Sequence, residues 1–143
     1  MDNIYYRITN FQLNQFATFE DKFQQSKEIT INSNFGLAYN SEARTIRSTI
    51  CIDFLQNEEM IMKVELSTFI EIKEESVNSL IKGNKLVLSP NLQIQFSSFG
   101  YGALRGIMYL KTINTPFANI ILPPIEVSEM FKDPIEFEIS IKE

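Results

Sequence analysis

Residues 99–112 read FGYGALRGIMYLKT, a stretch in which helical spacing and glycine content pull against each other. Its apolar residues recur at helical spacing, yet it holds three of the five glycines in the chain, Gly100, Gly102 and Gly106. A glycine inside a helix costs about 1 kcal/mol relative to alanine, so three helical glycines cost roughly 3 kcal/mol. Two readings are open: the helix starts after Gly100 and Gly102, or another backbone comes so close that a side chain would not fit. Gly106 favours the second, because LRGIMYL continues the pattern on both sides of it.

At about 100° per residue, Phe99, Gly102, Ala103, Gly106, Ile107, Leu110 and Ile113 share an arc of roughly 140°, and Tyr101, Leu104 and Met108 share a separate one. Ser98, Arg105, Lys111 and Thr112 remain for water. A helix with two apolar faces has to be covered twice. Gly102 and Gly106 form a small-xxx-small pair, a spacing that lets two helices approach closely. The expectation is therefore a homo-oligomer, with Gly102, Gly106, Ile107, Leu110 and Ile113 at its interface.

Upstream the period changes to two. Ile29, Ile31, Phe35, Leu37 and Tyr39 alternate with Thr30, Asn32, Asn34 and Gly36. Ile46, Ile50, Ile52 and Phe54 alternate with Thr45, Arg47, Thr49 and Asp53. After the turn QNEE, Met60, Met62, Val64, Leu66, Ile70 and Ile72 alternate with Lys63, Glu65, Ser67 and Glu71. Short connections make such runs antiparallel neighbours. The segment IYYRITNFQLNQFATFE adds a fourth strand whose apolar phase shifts between Ile8 and Phe11, which predicts a bulge near Asn10. The fold class is α+β: a four-stranded antiparallel sheet with a long helix on one face.

The rest is less regular. Residues 74–88 have no firm assignment, and Ser89-Pro90 suits the cap of a short helix. Thr115-Pro116 and Pro123-Pro124 force an extended loop, and the tail IEFEISIKE alternates as an edge strand would. With 143 residues the chain is expected to form one domain, residues 1–143.

The residue types that are missing narrow the function. The chain has no histidine and one cysteine, which excludes Cys/His zinc sites and His-dependent nucleophiles. The pairs Glu58-Glu59 and Glu74-Glu75 sit in polar stretches and read as solvated turn charges rather than a desolvated acid/base pair. No phosphate-cradling glycine motif occurs. A net charge of −5 without clustered cations argues against nucleic acid. No apolar run suits a membrane span, and MDNIYYRITN lacks the n- and h-regions of a leader, so a cytoplasmic location is expected. The reading is a protein that binds rather than catalyses, with no cofactor and no metal.

One further pattern covers about residues 4 to 131. Thr18-Phe19-Glu20 closes the first strand, Tyr101 and Arg105 form a Tyr-x-x-x-Arg helix start, and Thr115-Pro116-Phe117, Leu122-Pro123-Pro124 and Ile125-Glu126-Val127 follow. In order and spacing the chain resembles SecB, the protein-export chaperone family. The resemblance implies a tetramer built as a dimer of dimers, with sheets pairing and long helices packing between dimers. It implies an ATP-independent holdase that keeps polypeptides unfolded in hydrophobic grooves, here with walls of Phe16, Phe19, Tyr101, Leu104, Met108, Phe117 and Ile121. It also implies docking to the translocase motor through acids on the sheet, of which Glu20 matches one. Phe16 stands where the family carries another, and the tail FKDPIEFEISIKE replaces a terminal helix. A relative serving other clients, such as a component of a toxin-antitoxin pair, fits these departures. The alternative reading is a subunit of the same fold with one dedicated protein partner.

Overall fold

The computed structural model describes residues 3–124 and 127–139. The period-two runs become β1 (Tyr6–Thr18), β2 (Thr30–Asn40), β3 (Thr45–Gln56) and β4 (Glu59–Ile72). They form one antiparallel sheet in the order β1-β4-β3-β2. The β3–β4 turn has positive φ at both central residues, 50° at Asn57 and 67° at Glu58, the condition for a tight hairpin that follows the strand twist. At the β2–β3 turn, Asn40 Oδ1 accepts from the backbone N–H groups of Glu42 and Ala43 at 3.0 and 3.2 Å. The expected break in β1 is present between Ile8 and Asn10, and a second lies between Leu13 and Gln15.

The second half holds α1 (Glu74–Leu80), β5 (Ile81–Lys82), β6 (Lys85–Leu88), α2 (Pro90–Thr112) and β7 (Ile135–Glu138). The unassigned stretch 74–88 thus supplies a short helix and a hairpin, whose turn uses Gly83 at φ +66°. The expected edge strand of the tail pairs with β6 through Ile135–Glu138, completing a small sheet in the order β5-β6-β7. The ends of two sequence patterns, Ile125-Glu126 and Ser140 to Glu143, lie outside the described residues, as do Met1 and Asp2.

Ser89 and Pro90 start not a short helix but the long one. The Ser89 side chain accepts from the Leu92 N–H, and Pro90 occupies the first turn. All three glycines are therefore helical, and Tyr101 and Arg105 sit in mid-helix rather than at its start. The run LQIQF hides this, because its apolar residues alternate as in a strand. Gln93 is instead buried in the helix, with Nε2 donating to the Leu88 and Asp133 carbonyls at 3.0 and 2.8 Å. Thr112, expected to face water, is also buried, and its hydroxyl donates to the Met108 carbonyl at 2.8 Å.

α2 lies across β3 and β4, whose helix-side residues are buried along their length. The apolar packing divides into two clusters. One gathers Ile50, Ile52, Phe54, Met62, Val64 and Leu66 under Tyr101, Leu104 and Met108. The other gathers Ile46, Ile70 and Ile72 with Phe96 of α2, Val77 of α1, and Leu86 and Leu88 of β6. Between them runs a polar seam. Ser48 and Thr68 pair across β3 and β4, Ser97 lies in α2, and all three hydroxyls are buried without a hydrogen-bond partner. Gly100 closes on this seam: a Cβ there would lie 2.8 Å from Thr68 Oγ1 and 3.1 Å from Ile50 Cδ1.

Candidate functional site: an apolar trough beside the long helix

The two predicted faces of α2 meet different fates. Tyr101, Leu104 and Met108 are buried against the sheet, as a helix lying on β3 and β4 requires. The other face stays open, with Leu110 71% exposed and Tyr109 and Ile113 exposed beside it. Gly102 and Gly106 face empty space, with nothing within 4 Å of an added Cβ. The close approach inferred from the glycines is therefore made within this chain by Gly100, not by the other two.

On one flank the helix is fenced. After Thr112 the chain turns back, and Phe117, Ile120 and Leu122 bury themselves against the first cluster. Phe117 stacks on Phe23 with ring centroids 4.7 Å apart. The Tyr101 hydroxyl donates to the Pro123 carbonyl, and Arg105 Nε donates to the Leu122 carbonyl at 3.0 Å. Residues four apart lie on one helix face, so the Tyr-x-x-x-Arg spacing grips two successive carbonyls of the strap. Burial raises the Tyr101 pKa, and the nearby Arg105 opposes that rise.

The other flank faces β1 and is open. Tyr6 fixes the side, through ring contacts with Phe96 and Phe99 and a hydrogen bond from Gln95. Helical rotation then puts Phe99, Ala103, Ile107 and Leu110 on that flank. Along β1, Ile8, Phe11, Leu13 and Phe16 pair with Ile70, Thr68, Leu66 and Val64, and so share the helix side of the sheet. Leu13, Phe16, Ala103 and Ile107 are half-buried on the first cluster, while Ile8 and Phe11 are 39% and 43% exposed. The result, among the described residues, is a largely apolar trough between the helix and the β1 edge of the sheet.

The residues nominated as groove walls separate accordingly. Phe16 lies in the trough. Phe19 is exposed just beyond the end of β1, where its N–H donates to the Ile61 carbonyl at 2.9 Å. Ile121 is exposed on the strap, across the helix from the trough. Tyr101, Leu104, Met108 and Phe117 are core residues and do not form an open wall. Sequence reasoning missed Ile8 and Ala103. The signal was present in the phase shift between Ile8 and Phe11, because the bulge returns both to one face. Of the interface set, Ile107 and Leu110 border the trough, and Gly102, Gly106 and Ile113 lie above it.

Glu20 is exposed in a single 3-10 turn, Glu20–Lys22. Glu59 pairs with Lys22, Glu74 with Arg44 and Glu75 with Lys73, all on the surface. Among the described residues no group of three or more Cys, Asp or Glu is placed to hold a metal ion, and no helix is long and apolar enough to cross a membrane.

Among solved structures, the chain is similar to the Mycobacterium tuberculosis SecB-like chaperone Rv1957 in complex with a ChAD peptide from the Rv1956 HigA1 antitoxin. The TM-score is 0.54 at 10% identity, covering 85% of this chain and 91% of that one. A protein of unknown function from Streptococcus agalactiae matches with a TM-score of 0.44 at 11% identity, over 85% of this chain and 99% of that one. No family model matches, and no curated protein matches in sequence. The chain has a divergent SecB-like fold: α+β, with a four-stranded antiparallel sheet and a long helix on one face.

Proposed function

We propose that this protein is an ATP-independent, non-enzymatic holdase of the SecB-like type, which receives apolar segments of unfolded or pre-export polypeptides in the trough between α2 and β1. The observation that carries the reading is the apolar row Ile8, Phe11, Leu13 and Phe16 beside the Ala103–Ile107–Leu110 side of the helix, open to solvent at Ile8, Phe11 and Leu110. Such a surface gains affinity from burial at about 25 cal/mol per Å² and tolerates varied sequences. Backbone groups on the β1 edge add hydrogen bonds to an extended client. Phe19 and Ile121 lengthen the apolar surface at its margins. Work in the cytoplasm, and docking of Glu20 to a translocase motor, belong to the same reading.

Self-association is part of it. The ridge of Gly102, Gly106 and Ile113 suits a second copy, because glycines four apart with no neighbour of their own let another helix lie close. A tetramer formed as a dimer of dimers would place troughs on several protomers.

A second reading, one dedicated partner, is favoured by the peptide in the similar structure, which comes from a single antitoxin. Fluorescence anisotropy with two unrelated labelled unfolded polypeptides separates the two. A general holdase binds both, and Phe11→Asp weakens both while leaving the melting temperature unchanged. Binding of neither, with the protein folded and assembled by light scattering, removes the general reading.

A further inference from the structure

We propose a second binding site, on the opposite face of the four-stranded sheet: a depression around Arg47 that takes a carboxylate attached to an apolar group. The depression has a volume of about 550 Å³, within the roughly 300–1,000 Å³ of small-ligand pockets. Arg47, Phe69, Asn10, Ala38, Ala43 and Thr45 are among its lining residues. Arg47 is the one charged residue in that lining.

Arg47 is set in position rather than loose. Its Nε donates to Ser67 Oγ at 3.1 Å, and its guanidinium carbon lies 5.6 Å from the centre of the Phe69 ring. Ser67 is itself fully buried and held by Asn14 Nδ2 at 2.7 Å and by the Thr49 hydroxyl at 3.2 Å. These contacts engage Nε and one guanidinium face, and leave the terminal nitrogens able to take a carboxylate in bidentate fashion. The neighbouring cations of this face do have acidic partners: Arg7 pairs with Glu71 at 3.3 Å and Lys63 with Asp53 at 3.8 Å. No carboxylate among the described residues pairs with Arg47.

The surroundings define the rest of the ligand. Ala38 and Phe69 flank Arg47 directly in the register, giving apolar contact on both sides. The wall beyond is the β2–β3 turn, kept rigid by Asn40 and by the Thr45 hydroxyl donating to the Ala43 carbonyl at 2.9 Å. Asn10, placed by the β1 bulge, also lines the depression and carries an amide able to donate to a carboxylate oxygen. Two sources carry this chemistry: the C-terminus of a polypeptide that ends in an apolar residue, or a small free carboxylic acid.

The test uses the full chain and amide shifts in NMR titrations. The probes are a short neutral peptide ending in leucine, its C-terminal amide, and N-acetyl-leucine. The acid peptide should shift residues around Arg47 and Phe69 and bind at least about tenfold more tightly than the amide, less so at high salt. Arg47→Gln should abolish that difference, and Arg47→Lys should retain part of it, both in a protein that remains folded. Equal binding of N-acetyl-leucine assigns the site to small acids, and weaker binding assigns it to polypeptide ends. Acid and amide behaving alike, no shifts at millimolar acid, or an acid preference that survives Arg47→Gln in a folded protein would overturn the proposal.

Discussion

Gly100 lies so close to Thr68 that a Cβ built on the glycine would fall 2.8 Å from Thr68 Oγ1. An alanine there gains about 1 kcal/mol of helix propensity but overpacks the seam at a cost of about 1–3 kcal/mol. Gly100→Ala should therefore lower stability in urea titrations, and Thr68→Ala should restore most of the loss in the double variant. Gly106→Ala has no such neighbour and should stabilise the isolated protomer by about 1 kcal/mol. Should light scattering find a dimer or tetramer, Gly106→Leu is expected to weaken it.

The seam also predicts stabilising changes. The Ser48 and Ser97 hydroxyls are buried without partners, and a buried polar group left unpaired costs about 1–3 kcal/mol. Ser48→Ala and Ser97→Ala should each raise stability by about 1 kcal/mol, measured as a higher urea midpoint at unchanged slope. A loss from either change would mean that its hydroxyl does have a partner.

The β3–β4 turn holds Glu58 at φ +67°. A non-glycine residue in this left-handed region costs about 1–2 kcal/mol, and Asn-Gly is the preferred pair for such turns. Glu58→Gly should gain about 1 kcal/mol despite the freer unfolded chain. Thermal unfolding of the variant measures it directly.

The sheet was legible because period-two alternation over 28–72 admits few other structures, and the bulge near Asn10 follows from a phase shift that register alone explains. The helix was legible only from its C-terminal half. Gln93 and Gln95 between Leu92, Ile94 and Phe96 imitate a strand, and the Gln93 partners, Leu88 and Asp133, are brought to it by tertiary structure. The candidate site was harder still. Tyr101, Leu104, Met108 and Phe117 carry the composition of a groove, but the same composition builds a core. Which of the two they form depends on where α2 and the strap lie. Ile8 and Phe11 are exposed only because the helix stops short of the sheet edge, a fact of placement that no local pattern records.

Tyr101 ties the strap to the helix, and burial raises its pKa. A tyrosine whose pKa is higher folded than unfolded stabilises fully below its ordinary value of about 10, and loses that contribution as pH rises through the folded value. Stability should fall above about pH 10, and Tyr101→Phe should show a shallower fall. Tyr39 and Cys51, both raised first by burial, and Lys85, raised first by its hydrogen bond to Glu136, add to the fall. At neutral pH the same variant should cost about 1 kcal/mol for the lost bond to Pro123.

If the open trough between α2 and β1 receives unfolded chains, the protein should hold them without ATP. The most direct measurement is aggregation of two unrelated denatured proteins diluted into buffer, followed by light scattering, with no nucleotide present. Both aggregations should be suppressed, and several-fold less so by Phe11→Asp or Ile8→Asp in variants that keep the wild-type melting temperature and assembly. Failure of the wild-type protein to suppress either aggregation at several-fold molar excess, or full suppression by both aspartate variants, would contradict it.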